Sequence, residues 1–171
     1  MLKIYQEYKL YGVEEYYKNF SNNYFNPHEE KIKQIYMKYI KDLINQNDKI
    51  IDIACGDGLI SRLVHKYNNN YNIVGCDPFF NNVFCQLNFS FQDIAQGKLH
   101  NNYDLGICSY AYHLLDHKWR YDFLTELSLI VNKFIIITPS KKIEINHPLW
   151  EISKNIRDDK ITLIILEKTV K

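Results

Sequence analysis

Six short apolar runs, separated by polar or helical stretches, occupy most of the 171-residue sequence from Lys49 onwards. They cover residues 49–54, 72–76, 89–91, 105–109, 134–138 and 161–166. Near-continuous apolar strands that alternate with helices are typical of a parallel sheet that is covered on both faces. The pattern therefore predicts one α/β domain with a mostly parallel sheet of about six strands.

Helical spacing of apolar residues marks the stretches between these runs. It predicts helices over residues 59–67 and 119–131, and a last helix over 148–156 that leaves room for one final strand. The sequence contains no repeat and no linker, so a single domain is expected over residues 1–171. Within it, residues 1–46 form an amino-terminal aromatic segment and helix, and residues 47–171 form the α/β core.

Aromatic residues are concentrated at the amino terminus, where the first 28 residues contain eight of them. The sequence Asn26-Pro27-His28-Glu29 is typical of a helix start, with Asn26 as the N-cap and Pro27 at the first helical position. Apolar residues at helical spacing follow, with lysines between them. An amphipathic helix is therefore predicted over residues 27–44.

The charged residues nearly balance, with 21 basic and 20 acidic side chains. This balance argues against a protein that coats nucleic acid or an anionic membrane. No apolar run approaches the roughly 20 residues of a membrane helix, and no signal peptide opens the chain. The four cysteines lack CxxC spacing and the six histidines lack paired spacing, so we predict a cytoplasmic protein without a bound metal.

The segment that carries most chemical information is IIDIACGDGLI, residues 50–60. An apolar strand contains Asp52 near its end, a turn with Gly56 and Gly58 follows, and a helix begins. In an open α/β sheet such a turn lies at the carboxyl end of the first strand, beside the ligand crevice. A dinucleotide-binding fingerprint would have a third glycine where this chain has Ser61. The Asp52 carboxylate would also be unfavourable beside a pyrophosphate, but it suits a ligand that carries an ammonium and a sulfonium.

The pattern Asp-x-x-Cys-Gly-x-Gly at residues 52–58 resembles motif I of the class I S-adenosylmethionine-dependent methyltransferases, although Ala54 stands where that family usually has glycine. Three further motifs follow in register: Ile73-Val74-Gly75-Cys76-Asp77, Phe91-Gln92-Asp93-Ile94 and the strand that begins at Tyr103. The resemblance covers residues 49–138. It implies a three-layer, Rossmann-like fold and an S-adenosyl-L-methionine-dependent methyltransferase, with S-adenosyl-L-homocysteine as the product.

The resemblance also implies roles for single residues. Asp77 would bind both ribose hydroxyls, Asp93 would accept from the adenine amino group, and Ile94 would flank the adenine ring. The complete implied donor site consists of Asp52, Ala54, Cys55, Gly56, Gly58, Asp77, Pro78, Asp93, Ile94, Ser109 and Tyr110. Each acid also has a purely structural interpretation, as a helix cap, a turn residue or a loop acid. Their shared position near strand ends favours ligand binding.

The end of the fourth strand indicates the methyl acceptor mainly by exclusion. It lacks the Asn/Asp-Pro-Pro-Tyr/Phe and Pro-Cys signatures of enzymes that methylate bases, and with the neutral charge this argues against nucleic acid. A small molecule or an exposed protein group remains as the acceptor. His113 and Tyr110 are the catalytic candidates, since the ordinary pKa of histidine suits a general base. The alternative is that His113 only packs.

In this family the segment before motif I commonly forms a lid over donor and acceptor. Tyr11, Tyr16, Tyr24 and His28 are the candidate lid or substrate residues, either as an aromatic wall for the sulfonium or as a packed cap. The short carboxyl end implies a small acceptor pocket or one completed by a partner subunit. We expect a monomer or weak homodimer. The rival interpretations are a non-catalytic regulatory or scaffold subunit and, third, a nicotinamide-dependent oxidoreductase.

Overall fold

Strand β1 (Ile50–Ile53) lies in the interior of the sheet, where it pairs in parallel with β2 (Ile73–Cys76) on one side and β4 (Tyr103–Ser109) on the other. The computed structural model describes residues 4–20 and 26–169. Strands β3, β5, β6 and β7 are Cys85–Leu87, Val131–Thr138, Trp150–Asp158 and Ile161–Lys168. The strand order is β3-β2-β1-β4-β5-β7-β6, in which β7 is antiparallel to both of its neighbours. The mostly parallel α/β sheet is confirmed, with seven strands instead of six.

Helices cover both faces of this sheet, as the strand burial requires. Their bounds are α1 Ile4–Tyr11, α2 Val13–Phe20, α3 Glu29–Ile35, α4 Leu59–Asn68, α5 Phe91–Ala95 and α6 His117–Ile130. One apolar core joins α3 and α4 to the sheet through residues such as Ile32 and Val64. A second core joins α5 and α6 to the opposite face through Phe123 and Leu127. The three-layer prediction is confirmed.

A helical segment precedes β1 near the predicted residues 27–44, but it begins at Glu29, with His28 as its N-cap. The predictions of Asn26 as the N-cap and Pro27 at the first helical position are wrong, because the Asn26 side chain accepts from the His28 backbone N–H at 2.9 Å and closes a turn before the helix. After α3 the chain continues as a π-helical turn, Tyr36–Ile40, and a 3-10 turn, Lys41–Leu43. Tyr24, a predicted lid residue, lies outside the described residues.

The prediction of a strand over residues 89–91 is wrong. The edge strand β3 ends at Leu87, and Phe91 begins α5. The reason is a capping box: the Ser90 hydroxyl accepts from the Asp93 backbone N–H at 3.1 Å, and the Asp93 carboxylate accepts from the Ser90 backbone N–H at 2.9 Å. This reciprocal pair satisfies two free donors at the helix start and so ends the extended chain.

The prediction of a helix over residues 148–156 is also wrong, because Trp150–Asp158 forms β6 and pairs along its length with β7. Asp159 and Lys160 both have positive φ, of 36° and 67°, and close a tight hairpin between the two strands. As an edge strand, β6 buries mainly Trp150, whose indole N–H donates to the Leu124 carbonyl at 2.8 Å. The carboxyl end therefore contributes two strands.

No helix within residues 4–20 and 26–169 is both long enough and apolar enough to cross a membrane.

Candidate functional site

A cavity of about 800 Å³ lies at the carboxyl-terminal edge of the parallel strands. The turn after β1, the ends of β2 and β4, the loop before α5 and the end of α2 all contribute to its wall. This is the edge at which an open α/β sheet binds its ligands, because the strand order reverses between β1 and β4. The predicted motifs therefore converge on one site.

The turn after β1 has three residues in the left-handed region: Ala54 (φ 56°), Gly56 (φ 55°) and Gly58 (φ 82°). Gly56 lines the cavity, so the backbone there is open to a ligand. Gly58 serves packing instead, since a Cβ at this position would lie 2.4 Å from Cβ of Phe84. It does not line the cavity. Ala54 adopts the conformation for which glycine is the usual residue.

Asp52 lines the cavity although its side chain is only 1% exposed. Its Oδ2 accepts a hydrogen bond from the Ser61 hydroxyl at 3.1 Å. Burial raises the pKa of Asp52 to about 7; the Ser61 hydroxyl and backbone N–H act in the opposite direction. Because the N-cap residue Gly58 has no side chain, Asp52 supplies the acceptor for the start of α4. Asp52 therefore both supports the start of α4 and lines the cavity.

Asp77 follows β2 directly and faces the same cavity. Its carboxylate accepts from the backbone N–H of Gly56 at 3.1 Å and of Phe79 at 2.9 Å. Burial raises the pKa of Asp77, and these backbone hydrogen bonds oppose the rise. The acid is thus fixed between the first turn and the second, and Pro78 beside it also lines the cavity.

At the end of β4, Ser109 and Tyr110 form another part of the wall. The Ser109 Oγ is buried and has no hydrogen-bond partner among the described residues. Tyr110 has a left-handed backbone (φ 57°), and burial raises its pKa, which keeps the phenol protonated near neutral pH. The His28 ring stacks on the Tyr110 ring with centroids 4.6 Å apart. Two predicted residues from distant elements therefore meet.

The α1–α2 segment packs over the opposite part of the cavity. Tyr17 and Lys18 line it, and the Tyr17 ring is stacked on that of Phe79. Tyr16 is buried and packs edge-on against Tyr17, whereas Tyr11 is 52% exposed and does not line the cavity. Tyr16 is therefore part of a packed aromatic cap, whereas Tyr17 forms an aromatic wall of the cavity.

The cavity wall is rich in acidic side chains. Five aspartates and two lysines line it: Asp52, Asp57, Asp77, Asp93, Asp116, Lys18 and Lys118. Asp57, Asp93 and Asp116 form ion pairs with Arg62, Lys98 and Lys118, so Asp52 and Asp77 are the acids of the wall that favour a cationic ligand over an anionic one. Within residues 4–20 and 26–169, no group of three His, Cys, Asp or Glu side chains could hold a metal ion.

Comparison with solved structures identifies the architecture. Magnesium protoporphyrin IX methyltransferase from Synechocystis PCC 6803, solved with bound S-adenosylmethionine, matches over 99% of both chains with a TM-score of 0.60 and 14% identity. An O-methyltransferase family protein from Burkholderia thailandensis matches over 96% of this chain and 63% of its own (TM-score 0.64, 10% identity). The chain has the class I methyltransferase fold.

Other relatives of this methyltransferase-fold chain differ in their acceptors. The 16S rRNA methyltransferase RmtF, in complex with S-adenosyl-L-homocysteine, matches over 96% of this chain and 75% of its own, with a TM-score of 0.61 and 10% identity.

In sequence, an uncharacterised protein of Schizosaccharomyces pombe is 25% identical over 187 residues, covering 81% of this chain and 75% of that protein. No protein-family model matches the sequence.

The structure places part of the predicted donor site outside the cavity wall. Ile94 is buried in the α5–α6 core and does not line the cavity, so its contact with an adenine ring stays a prediction. It is buried there because residues 91–95 are helical, which turns Ile94 towards the sheet. The Asp93 carboxylate lines the cavity, but it also binds Ser90 and Lys98, and the Lys98 ammonium lowers its pKa to about 2.

His113, a catalytic candidate, lies away from the cavity wall. Burial lowers its pKa, with smaller contributions from Arg120 and His28. Its Nδ1 is buried without a hydrogen-bond partner among the described residues. Cys55 does line the cavity; its hydrogen bond with Cys85 and its burial raise the pKa of its thiol, which excludes a thiolate there at neutral pH.

Several cavity residues were missed by sequence reasoning. They are Tyr17, Phe79, Phe80, Phe89, Phe91, Gln92 and Trp119. A usable signal existed for Phe79 and Phe80, which directly follow the Asp77-Pro78 turn that was singled out. No local signal distinguishes Tyr17 from its neighbour Tyr16, because only the packing of α2 decides which ring faces the cavity.

Proposed function

We propose that this protein binds S-adenosyl-L-methionine in the acid-rich cavity and transfers its methyl group to a small molecule or an exposed protein group. The observation that carries the proposal is the placement of Asp52 and Asp77 around the Gly56 turn, in a wall with more acids than bases. The donor carries an ammonium and a sulfonium against one carboxylate. A nicotinamide dinucleotide would instead bring a pyrophosphate to the same acids, which is unfavourable.

The residues present fit such a donor. Asp77 has two carboxylate oxygens beside the cavity for the ribose hydroxyls, and Gly56 leaves the backbone of the first turn open. The buried Oγ of Ser109, without a partner among the described residues, supports a polar contact at the end of β4. The donor, when bound, supplies an already activated methyl group.

The work of this chain is then alignment and exclusion of water. Tyr17 and Phe79 cover one part of the cavity, and Tyr110 covers another, with the His28 ring stacked behind it outside the cavity wall. Correct orientation of two reactants alone contributes on the order of 7–11 kcal/mol. Tyr110, protonated because its pKa is raised, is suited to donate a hydrogen bond to the acceptor. His113 is uncharged because its pKa is lowered, but it does not line the cavity, so Tyr110 is the catalytic candidate that faces the acceptor space.

Titration calorimetry tests the donor proposal. We expect S-adenosyl-L-methionine and S-adenosyl-L-homocysteine to bind, NAD not to bind, and Asp77→Ala to abolish binding because it removes the ribose acceptor. Asp122→Ala, on the exposed side of α6, is the matched control and should bind normally. Binding of NAD in place of either sulfur compound would reject the proposal.

A second candidate is a non-catalytic methyltransferase-fold subunit that binds the donor. It is favoured by the His28 ring, which stacks on Tyr110 at 4.6 Å and so covers one face of the catalytic candidate. Transfer of labelled methyl to metabolite and protein panels distinguishes the two candidates. Donor binding without transfer in any panel, alone or with a co-purified partner, would favour the subunit. Transfer to purified RNA or DNA would contradict the proposed acceptor class.

A further inference from the structure

Ser61 lies in the first turn of α4, opposite Asp52 on β1. Both side chains are 1% exposed, and the Ser61 hydroxyl donates to Asp52 Oδ2 at 3.1 Å. Ser61 occupies the position at which a dinucleotide fingerprint carries its third glycine. A serine here replaces a packing glycine by a hydrogen-bond donor that reaches back to the strand.

The charged groups around Asp52 all disfavour its ionised form. Asp77 after β2 and Asp57 in the first turn bring further negative charge, and Cys108 on β4, which points to the other face of the sheet, lies near it as a neutral thiol whose pKa is raised chiefly by burial. Cys55, beside it in the turn, is also a neutral thiol. No ion pair of Asp52 occurs within the described residues. A buried carboxylate in such surroundings needs hydrogen bonds or a cation to stay ionised.

We propose that Ser61 is a positioning residue for donor binding: its hydroxyl favours the ionised form of Asp52 and directs it along the cavity wall, where the carboxylate pairs with the ammonium group of the donor. This inference rests on the proposed function. Ser61 itself does not line the cavity, so it acts through Asp52.

The proposal predicts that Ser61 sets the pH at which donor affinity rises. Because the pKa of Asp52 is raised to about 7, the carboxylate gains its charge as the pH rises through neutrality, and donor affinity should rise with it until the donor's own amino group loses its proton. Ser61→Ala removes the hydroxyl but keeps the backbone donor, so Asp52 should ionise about one pH unit higher. The pKa of Asp77 is raised as well, so the informative quantity is the shift between variants.

The experiment is calorimetry with S-adenosyl-L-methionine from pH 5.5 to 9 on the full chain and three variants. Ser61→Ala should bind about five- to tenfold more weakly at pH 7 and approach wild-type affinity at pH 9. Asp52→Asn should bind weakly with little dependence on pH between 6 and 8. Ser128→Ala, which removes a hydroxyl from an equally buried serine on α6, should give the wild-type curve.

A ligand-free measurement separates this inference from the donor proposal. Carbon NMR of the Asp52 carboxyl should show its pKa rising in Ser61→Ala, and Ser61→Thr should restore it where the variant folds. A plot of donor affinity against pH for Ser61→Ala that coincides with that of wild type, or that is lower by the same factor at every pH, would overturn the role of Ser61. Wild-type protein that binds no donor at any pH would overturn the proposed function and this inference together.

Discussion

The ring of Tyr17 lies almost parallel to that of Phe79, with centroids 5.8 Å apart and planes 13° from parallel. Tyr17 belongs to α2, and Phe79 follows the Asp77-Pro78 turn at the end of β2. The stack therefore ties the amino-terminal segment to the part of the cavity assigned to the donor ribose. Through this contact, the aromatic residues of the amino-terminal segment form part of the cavity wall.

Tyr17→Ala should weaken S-adenosyl-L-methionine binding about fivefold, because a stacked aromatic pair contributes roughly 1 kcal/mol beyond the area that it buries. Calorimetry at constant pH measures the loss. Tyr71→Ala removes an equally large ring that is 69% exposed and distant from the cavity wall, and it should leave the affinity unchanged. Undiminished affinity in Tyr17→Ala would show that the stack does not support the donor site.

His28 should titrate below the ordinary pKa of 6.5, since burial and the nearby Lys31 ammonium both disfavour its charged form. Tyr110→Ala removes the ring that covers it, so the pKa of His28 should rise towards the ordinary value. Proton NMR of the imidazole follows this directly. His147, whose own lowered pKa comes from burial against α6, serves as the internal control and should not move.

Asp52→Asn should stabilise the folded protein above pH 7. In the folded state Asp52 keeps its proton up to about pH 7, whereas in the unfolded chain it loses it near 3.8. Between these values the folded state binds more protons, so stability falls as the pH rises, and the penalty is complete above pH 7. The variant should gain about 4 kcal/mol at pH 8 and only about 0.5 kcal/mol near pH 4.

Urea unfolding at both pH values checks this difference. An equal gain at pH 4 and pH 8 would mean that packing, and not charge, is responsible. The same substitution should weaken donor binding, so stability and affinity change in opposite directions at this one residue.

Ala54→Gly should raise the free energy of unfolding by about 0.5–1 kcal/mol, because alanine at φ 56° is strained and glycine is not. Ala111→Gly is the matched control: Ala111 has φ of −128° and is buried, so the change should cost about 1 kcal/mol. Denaturant titration of both variants measures the gain in free energy of unfolding expected at Ala54 and the loss expected at Ala111. A loss at Ala54 would show that the turn adopts another conformation.

Gly58→Ala should destabilise the protein by about 3 kcal/mol, since the new Cβ would lie 2.4 Å from Phe84 in addition to straining a left-handed backbone. Gly12→Ala separates the two effects. Gly12 has a similar φ of 77° but no atom within 4 Å of the added Cβ, so only the backbone cost of about 1 kcal/mol is expected. Equal losses at both positions would exclude the steric contribution.

The sequence by itself determined the central features of the site. The apolar strand, glycine turn and helix at residues 50–60 are encoded locally, and Asp52 and Asp77 were placed correctly because parallel strands end at one edge of a sheet. Helix α6 was also predicted, since fourteen residues contain enough turns to display their period.

Only the tertiary structure decided the remainder. Residues 150–158 are a strand because β7 pairs with them, although their apolar spacing resembles that of a helix. Ile94 faces the core because a capping box makes its segment helical, and Tyr17, rather than Tyr16, meets Phe79 because of how α2 packs. Local sequence sets turns and periodicity, whereas the direction of a side chain depends on neighbours that are brought together from distant parts of the chain.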